Sequence, residues 1–202
     1  AGEAPPPSPR LAAFWRALQR YADDERIPEF EVSLEVTHHG PWQHGPAAFL
    51  EVGSTAATWA HAGAAEVWAD VLLDVLRLEL EGGQAPNEPS HVPVLVTLGG
   101  GHYAPRGNAM AGQDGALLGH MLANHSLPFS RMDDGKVQGR WSHAVDTVIE
   151  ATRAAHPDRT MVISFDRKSF RGWERRALFE HLAAIGVDVV DSAEHASMLQ
   201  DA

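Results

Sequence analysis

The run His91-Val92-Pro93-Val94-Leu95-Val96-Thr97-Leu98, entering directly on Gly99-Gly100-Gly101, constrains this chain most. It lacks the polar alternation of a half-exposed strand, so it reads as a strand buried on both faces, and such strands belong to sheets covered by helices. Thr160 to Phe165 (TMVISF) is a second run of the same kind. Between and around them the apolar spacing predicts helices over 11–21, from residue 55 through Leu78, over 112–123, from Ser142 to His156 with Ser142 as cap, and over 172–185. Further strands are expected over 29–37, 47–52 and 187–190, with polar connections at 81–90 and 131–141. The alternation predicts an α/β fold with a mixed, mostly parallel sheet and helices on both faces. Ala1 to Pro9 is Pro-rich and reads as a disordered linker or processed end, leaving 10–202 as a single domain.

Four of the expected strands end in unusual residues: His38-His39-Gly40-Pro41, Gly53-Ser54-Thr55, Gly99-Gly100-Gly101-His102-Tyr103 and Asp166-Arg167-Lys168. In open α/β sheets ligands bind outside the carboxyl ends of the strands, so four polar clusters are expected to converge there. Histidine at such an edge can take and return a proton near neutral pH or ligate zinc. Glu51, inside Phe49-Leu50-Glu51-Val52, is expected to need a charged partner because an unpaired buried carboxylate is costly. The glycine triplet permits close approach of backbone amides to a phosphate or a developing oxyanion.

Several function classes are excluded by pattern. The chain has no cysteine, which removes disulfides, thiolate metal sites and cysteine nucleophiles. The glycine triplet does not form the dinucleotide fingerprint, and neither a phosphate-binding Gly-Lys-Ser/Thr loop nor a Gly-x-Ser-x-Gly elbow occurs. No apolar run approaches the roughly 18 residues needed to span a bilayer, so no membrane partner and a cytoplasmic location are expected. The net charge of −11 argues against indiscriminate nucleic-acid binding. That charge is uneven: residues 1–100 carry five arginines against fourteen acids, whereas Arg159, Arg167, Lys168, Arg171, Arg175 and Arg176 crowd one stretch. A polyanion is therefore expected to meet the second half.

Read together and in order, Glu35-Val36-Thr37-His38-His39-Gly40-Pro41, Phe49-Leu50-Glu51-Val52-Gly53-Ser54-Thr55 with Trp59, Gly99-Gly100-Gly101-His102-Tyr103-Ala104-Pro105, Gly119-His120 and the segment Phe165 to Gly172 resemble the D-aminoacyl-tRNA deacylase family of the archaeal and plant type. The resemblance implies a fold similar to peptidyl-tRNA hydrolase, hydrolysis of the ester joining a D-amino acid to the 3′ end of tRNA, and dependence on zinc. It implies His38, His39 and His102 as metal ligands or general base, with Glu35 or Glu51 orienting an imidazole. Thr37, Ser54, Thr55, Gly99, Gly100, Gly101, Tyr103 and His120 would line the substrate site, the Gly100 and Gly101 amides would meet the oxyanion, and Arg167 and Lys168 would hold phosphate or ribose. Two departures stand out. The family carries a further N-terminal segment that is expected to be missing here, so a second copy or a partner chain is expected to cover an exposed sheet edge. After Gly119-His120 the family's Pro-Lys-Tyr-like stretch is replaced by Met121-Leu122-Ala123-Asn124-His125, with His125 standing in for the basic side chain. Two rival readings use the same residues: a module that grips an RNA 3′ end or a nucleotide without cleaving it, and a zinc esterase or amidase acting on a small metabolite.

Overall fold

The computed structural model describes residues 3–38, 40–53, 55–80 and 91–200, with side chains left out over 77–80. Helix α1 (Leu11–Gln19) and the long α2 (Ala62–Leu80) precede β1 (Val94–Leu98). There follow α3 (Pro105–Ala111), β2 (Leu117–Leu122), the small antiparallel hairpin β3 (Ser130–Arg131) and β4 (Val137–Gln138), and α4 (Trp141–Ala155). The chain continues through β5 (Met161–Phe165), α5 (Gly172–Ala184), β6 (Asp188–Val189) and α6 (Ser192–Gln200). The main sheet has the order β2-β1-β5-β6 with every pairing parallel.

Alternate residues of β1 and β5 serve opposite faces of this sheet. Val96, Leu98, Ile163 and Phe165 pack against Val145, Val148 and Ile149 of α4 and Leu178 and Leu182 of α5. On the other face Leu95 and Val162 meet Met110 of α3 and Met198 of α6. Both faces are covered by helices, as the unbroken apolar runs require. The order places β2 on one side of β1 and β5 on the other, so the chain reverses its direction of winding between β1 and β5. A crevice opens at such a switch point outside the carboxyl ends of the strands, which here are Gly99-Gly100-Gly101 and Asp166-Arg167-Lys168.

Five expectations are corrected. Residues 117–122 form a strand rather than part of a helix: all six are buried and hydrogen-bond alongside β1, and a short, continuously apolar segment is ambiguous by periodicity. Gly119 also fits only without a side chain, because a Cβ there would lie 2.7 Å from Thr152. Residues 30–36, between a turn at Glu29 and a bend at Thr37, keep the expected inner face, ending in Val36 at 2 % exposure, yet they form no strand. Their backbone is satisfied piecemeal: Leu34 N donates to Asn108 Oδ1, Val36 N to His102 O and Thr37 N to Met121 O. Residues 47–52 likewise make no ladder. Phe49 and Leu50 are exposed, and Ala47 forms an isolated bridge to Pro7. That bridge bears on the N-terminal residues read as linker, since Pro7 is buried and Pro5 and Pro6 offer carbonyls to His120 and Ala47. Ser142 lies inside α4, whose N-cap is Arg140.

Candidate active site

β1 ends in Gly99 and Gly100, both at positive φ (93° and 80°), a conformation open to glycine at little cost. A side chain at Gly99 would also meet the Phe170 ring at 2.6 Å. The Gly100 amide donates to Ser169 Oγ at 2.7 Å, and Ser169 Oγ donates in turn to Asp166 Oδ2 at 2.9 Å. The glycine loop is thus stitched to the turn that follows β5. This corrects the role expected of Gly100, because its amide is already committed within the protein. Gly101 and Tyr103 are exposed in the same loop.

The loop delivers His102 to the extended segment 34–38. His102 Nε2 lies 3.2 Å from Glu35 Oε1, and His38 Nε2 lies 3.8 Å from Glu35 Oε2. The two imidazoles meet edge to face with centroids 4.6 Å apart, and Tyr103 meets His102 in the same way at 4.7 Å. His38 Nδ1 donates to Val36 O at 2.7 Å, which leaves the lone pair on Nε2. With His102 Nε2 donating to Glu35, the lone pair of His102 resides on Nδ1. One ligand atom from each of Glu35, His38 and His102 can be chosen so that all lie within 4.8 Å of one another. Two imidazole nitrogens and a carboxylate oxygen are a donor set that suits zinc, and His38 and His102 are exposed.

Not every expected residue joins this cluster. His39 and Ser54 lie outside the described residues. Glu51 is exposed rather than buried, because residues 47–52 run along the surface, and it is not one of the three clustered groups. Thr55 is exposed in a turn closed by Thr58, whose hydroxyl accepts from Thr55 N at 3.1 Å. Arg167 and Lys168 are exposed on the turn after β5. His120, expected among substrate contacts, is 5 % exposed and has both ring nitrogens engaged. Its Nδ1 accepts from Thr37 Oγ1 at 2.8 Å and its Nε2 donates to Pro5 O at 3.0 Å. Burial holds its pKa down at about 4, against the partial support of the Pro5 carbonyl. Thr37 and His120 therefore position the segment carrying Glu35 and His38 from within.

Asn108 was not singled out from sequence, yet it fixes the same segment. Its Oδ1 accepts from Leu34 N at 2.7 Å, and its Nδ2 donates to Leu34 O at 2.9 Å and to Tyr103 O at 2.7 Å. One side chain thus clamps the residues on either side of the Glu35–His102 contact. No sequence signal marks it, since an asparagine in a short helix reads as an ordinary polar residue. Asn108→Ala is expected to cost about 1–3 kcal/mol by leaving these backbone groups unpaired, and urea unfolding measures it. An unchanged midpoint would mean that water satisfies Leu34 as well as the amide does.

Comparison with known proteins identifies the family. Residues 1–190 match the family model described as D-aminoacyl-tRNA deacylase. The chain is 36% identical to a D-aminoacyl-tRNA deacylase of Arabidopsis thaliana, over 93% of this chain and 66% of that protein. It is 30% identical to one of Archaeoglobus fulgidus, over 92% of this chain and 58% of the relative. A crystal structure of a conserved protein of unknown function superposes with a TM-score of 0.73 at 28% identity, covering 97% of this chain and 61% of that one. The chain spans less than two thirds of the length of each of these proteins. Within that span the matched region contains the glycine loop, β1 and the Glu35–His38–His102 cluster, and the chain belongs to the D-aminoacyl-tRNA deacylase family.

Proposed function

We propose that this chain hydrolyses the ester bond of D-aminoacyl-tRNA, releasing the D-amino acid and tRNA. The observation that carries the reading is the convergence of Glu35, His38 and His102 beside the glycine loop at the sheet's switch point, in a member of this family. Glu35 accepts from His102 Nε2 and so orients the ring with its basic Nδ1 outward. His102 Nδ1 takes a proton from water as the water oxygen bonds to the ester carbonyl carbon. The Gly101 amide supports the developing oxyanion. As the carbonyl–ribose oxygen bond breaks, the proton passes from His102 to the ribose oxygen. Such proton transfer contributes about 10²–10⁴ in rate.

In a zinc-loaded protein Glu35, His38 and His102 would instead be the ligands; the metal would supply Lewis-acid polarisation of a carbonyl oxygen, and the His102 lone pair would then be committed to it rather than to a proton. Arg167 and Lys168 would hold ribose or phosphate. No helix among the described residues is long and apolar enough to cross a membrane, and a tRNA substrate favours work in the cytoplasm.

The test is release of D-amino acid from D-aminoacyl-tRNA by the full chain, beside the L counterpart and a free D-amino ester. Retained aminoacyl-tRNA would sink the reading, and equal rates on the free ester would favour a small-metabolite esterase. Elemental analysis of protein made without a histidine tag is expected to find near-stoichiometric zinc that is released on acidification, because protonated imidazole and carboxylic acid no longer ligate. A fully active metal-free preparation would leave histidine alone as the base.

A further inference from the structure

An acidic protein that acts on tRNA needs a local site for a polyanion, and the carboxyl edge of the sheet holds one away from the Glu35 cluster. The β3–β4 hairpin and the first turn of α5 wall a groove of about 480 Å³. Asn124 and Ser169 line it and tie it to the loop that carries His102: Asn124 N donates to Gly100 O at 3.2 Å, Asn124 Nδ2 donates to Ser169 O at 3.2 Å, and Ser169 Oγ accepts from Gly100 N.

Two arginines from different elements line this groove, Arg131 from β3 and Arg171 at the start of α5, and both are exposed. The carboxylate in the lining, Glu174, accepts from Arg171 N at 2.6 Å and so closes the helix start. Trp173 lines the groove and is half-buried. It is braced by Phe129, which meets it edge-on at 6.0 Å and is itself stacked on buried Trp141 at 4.8 Å. Paired guanidinium groups suit phosphodiester oxygens, and an anchored indole suits a nucleobase face; together they are the elements of a single-strand platform.

We propose that this groove seats the single-stranded 3′ end of the RNA, with Arg131 and Arg171 on phosphodiester oxygens and Trp173 under a base. The inference rests on the deacylase reading and adds to it the part of the protein that holds the nucleic acid. Because groove and His102 share the glycine loop, a strand lying here would lead its terminal ribose toward the cluster.

The test is fluorescence anisotropy of a labelled tRNA acceptor minihelix with an unpaired 3′ end, titrated at several salt concentrations. Replacing Arg131 and Arg171 together by alanine is expected to weaken binding by at least about tenfold at low salt. It should also flatten the dependence of log K on log salt by about 1.5 if two phosphates lose their partners. Trp173→Ala is expected to weaken binding about tenfold, and Trp173→Phe to restore most of it, since a ring is what the base needs. Arg153→Ala, on the exposed side of α4, measures the loss of an unrelated surface charge. Thermal melts check that each variant is folded, and the Phe and Ala variants at Trp173 are compared only at equal stability. If the groove variants bind like the parent while the parent deacylates D-aminoacyl-tRNA, the groove assignment falls and the deacylase reading stands. A parent that neither binds the minihelix nor deacylates overturns both, and one that binds through the groove without deacylating overturns the enzyme alone.

Discussion

His102→Ala is expected to lower the hydrolysis of D-aminoacyl-tRNA by at least about 10²-fold while changing the melting temperature little. The loss follows from removing a positioned base; the small structural effect follows from position, since His102 is exposed at the end of a loop. Its backbone carbonyl, which accepts from Val36 N, survives the substitution. Glu35→Gln is expected to cost about 10–100-fold, the range typical of groups that orient a functional imidazole. The glutamine keeps the shape but can present its amide nitrogen to His102 Nε2, which would favour the other tautomer. A single-turnover deacylation assay, paired with zinc content, reads both variants. Full activity in His102→Ala would remove His102 from the chemistry, whereas a large stability loss with proportionate activity loss would make it a structural residue.

The second large effect is a pH dependence of stability that runs through His120. Its pKa in the folded protein is lowered by burial to about 4, against about 6.5 for an ordinary histidine. Between these values the unfolded chain binds more protons than the folded one, so stability falls as pH drops from about 6.5 and the loss is complete near pH 4. The gap corresponds to about 3 kcal/mol. Urea titrations at pH 7 and pH 4.5 on the parent and on His120→Gln are expected to show a smaller acid loss in the variant, because the carboxylates titrate in both and the histidine in one. Equal losses would mean that His120 protonates without penalty. Since His120 holds Thr37 and Pro5, its protonation would also loosen the segment that presents Glu35 and His38.

These predictions involve residues that became legible at different levels. The unbroken runs 91–98 and 160–165, each followed by unusual residues, mark β1 and β5 and the loops at their carboxyl ends. The alternation over 29–37 correctly turned Val36 inward, which left Glu35 and Thr37 on the polar side. Period-2 and period-3.6 patterns report which side of a segment meets the core, and those sides were read well. They do not report what pairs with the backbone. Hence 29–37 and 47–52 read as strands yet lack ladders, and 117–122 read as part of a helix yet supplies the edge strand β2.

What the sequence determined by itself was the α/β class, the two central strands and the chemical character of the glycine loop and its histidine, because burial on both faces and freedom at positive φ are local properties. The identity of the cluster was decided by tertiary structure. Glu35 rather than Glu51 reaches the imidazoles because Asn108, from a helix more than seventy residues away, clamps its segment against the loop that follows β1. His120 was drawn inward by the pairing of β2 with β1, and Arg131 was brought to the groove that Arg171 also lines by a hairpin of two-residue strands. Contacts between distant segments depend on how elements pack rather than on the spacing within any one of them, and that packing is where this protein's chemistry was assembled.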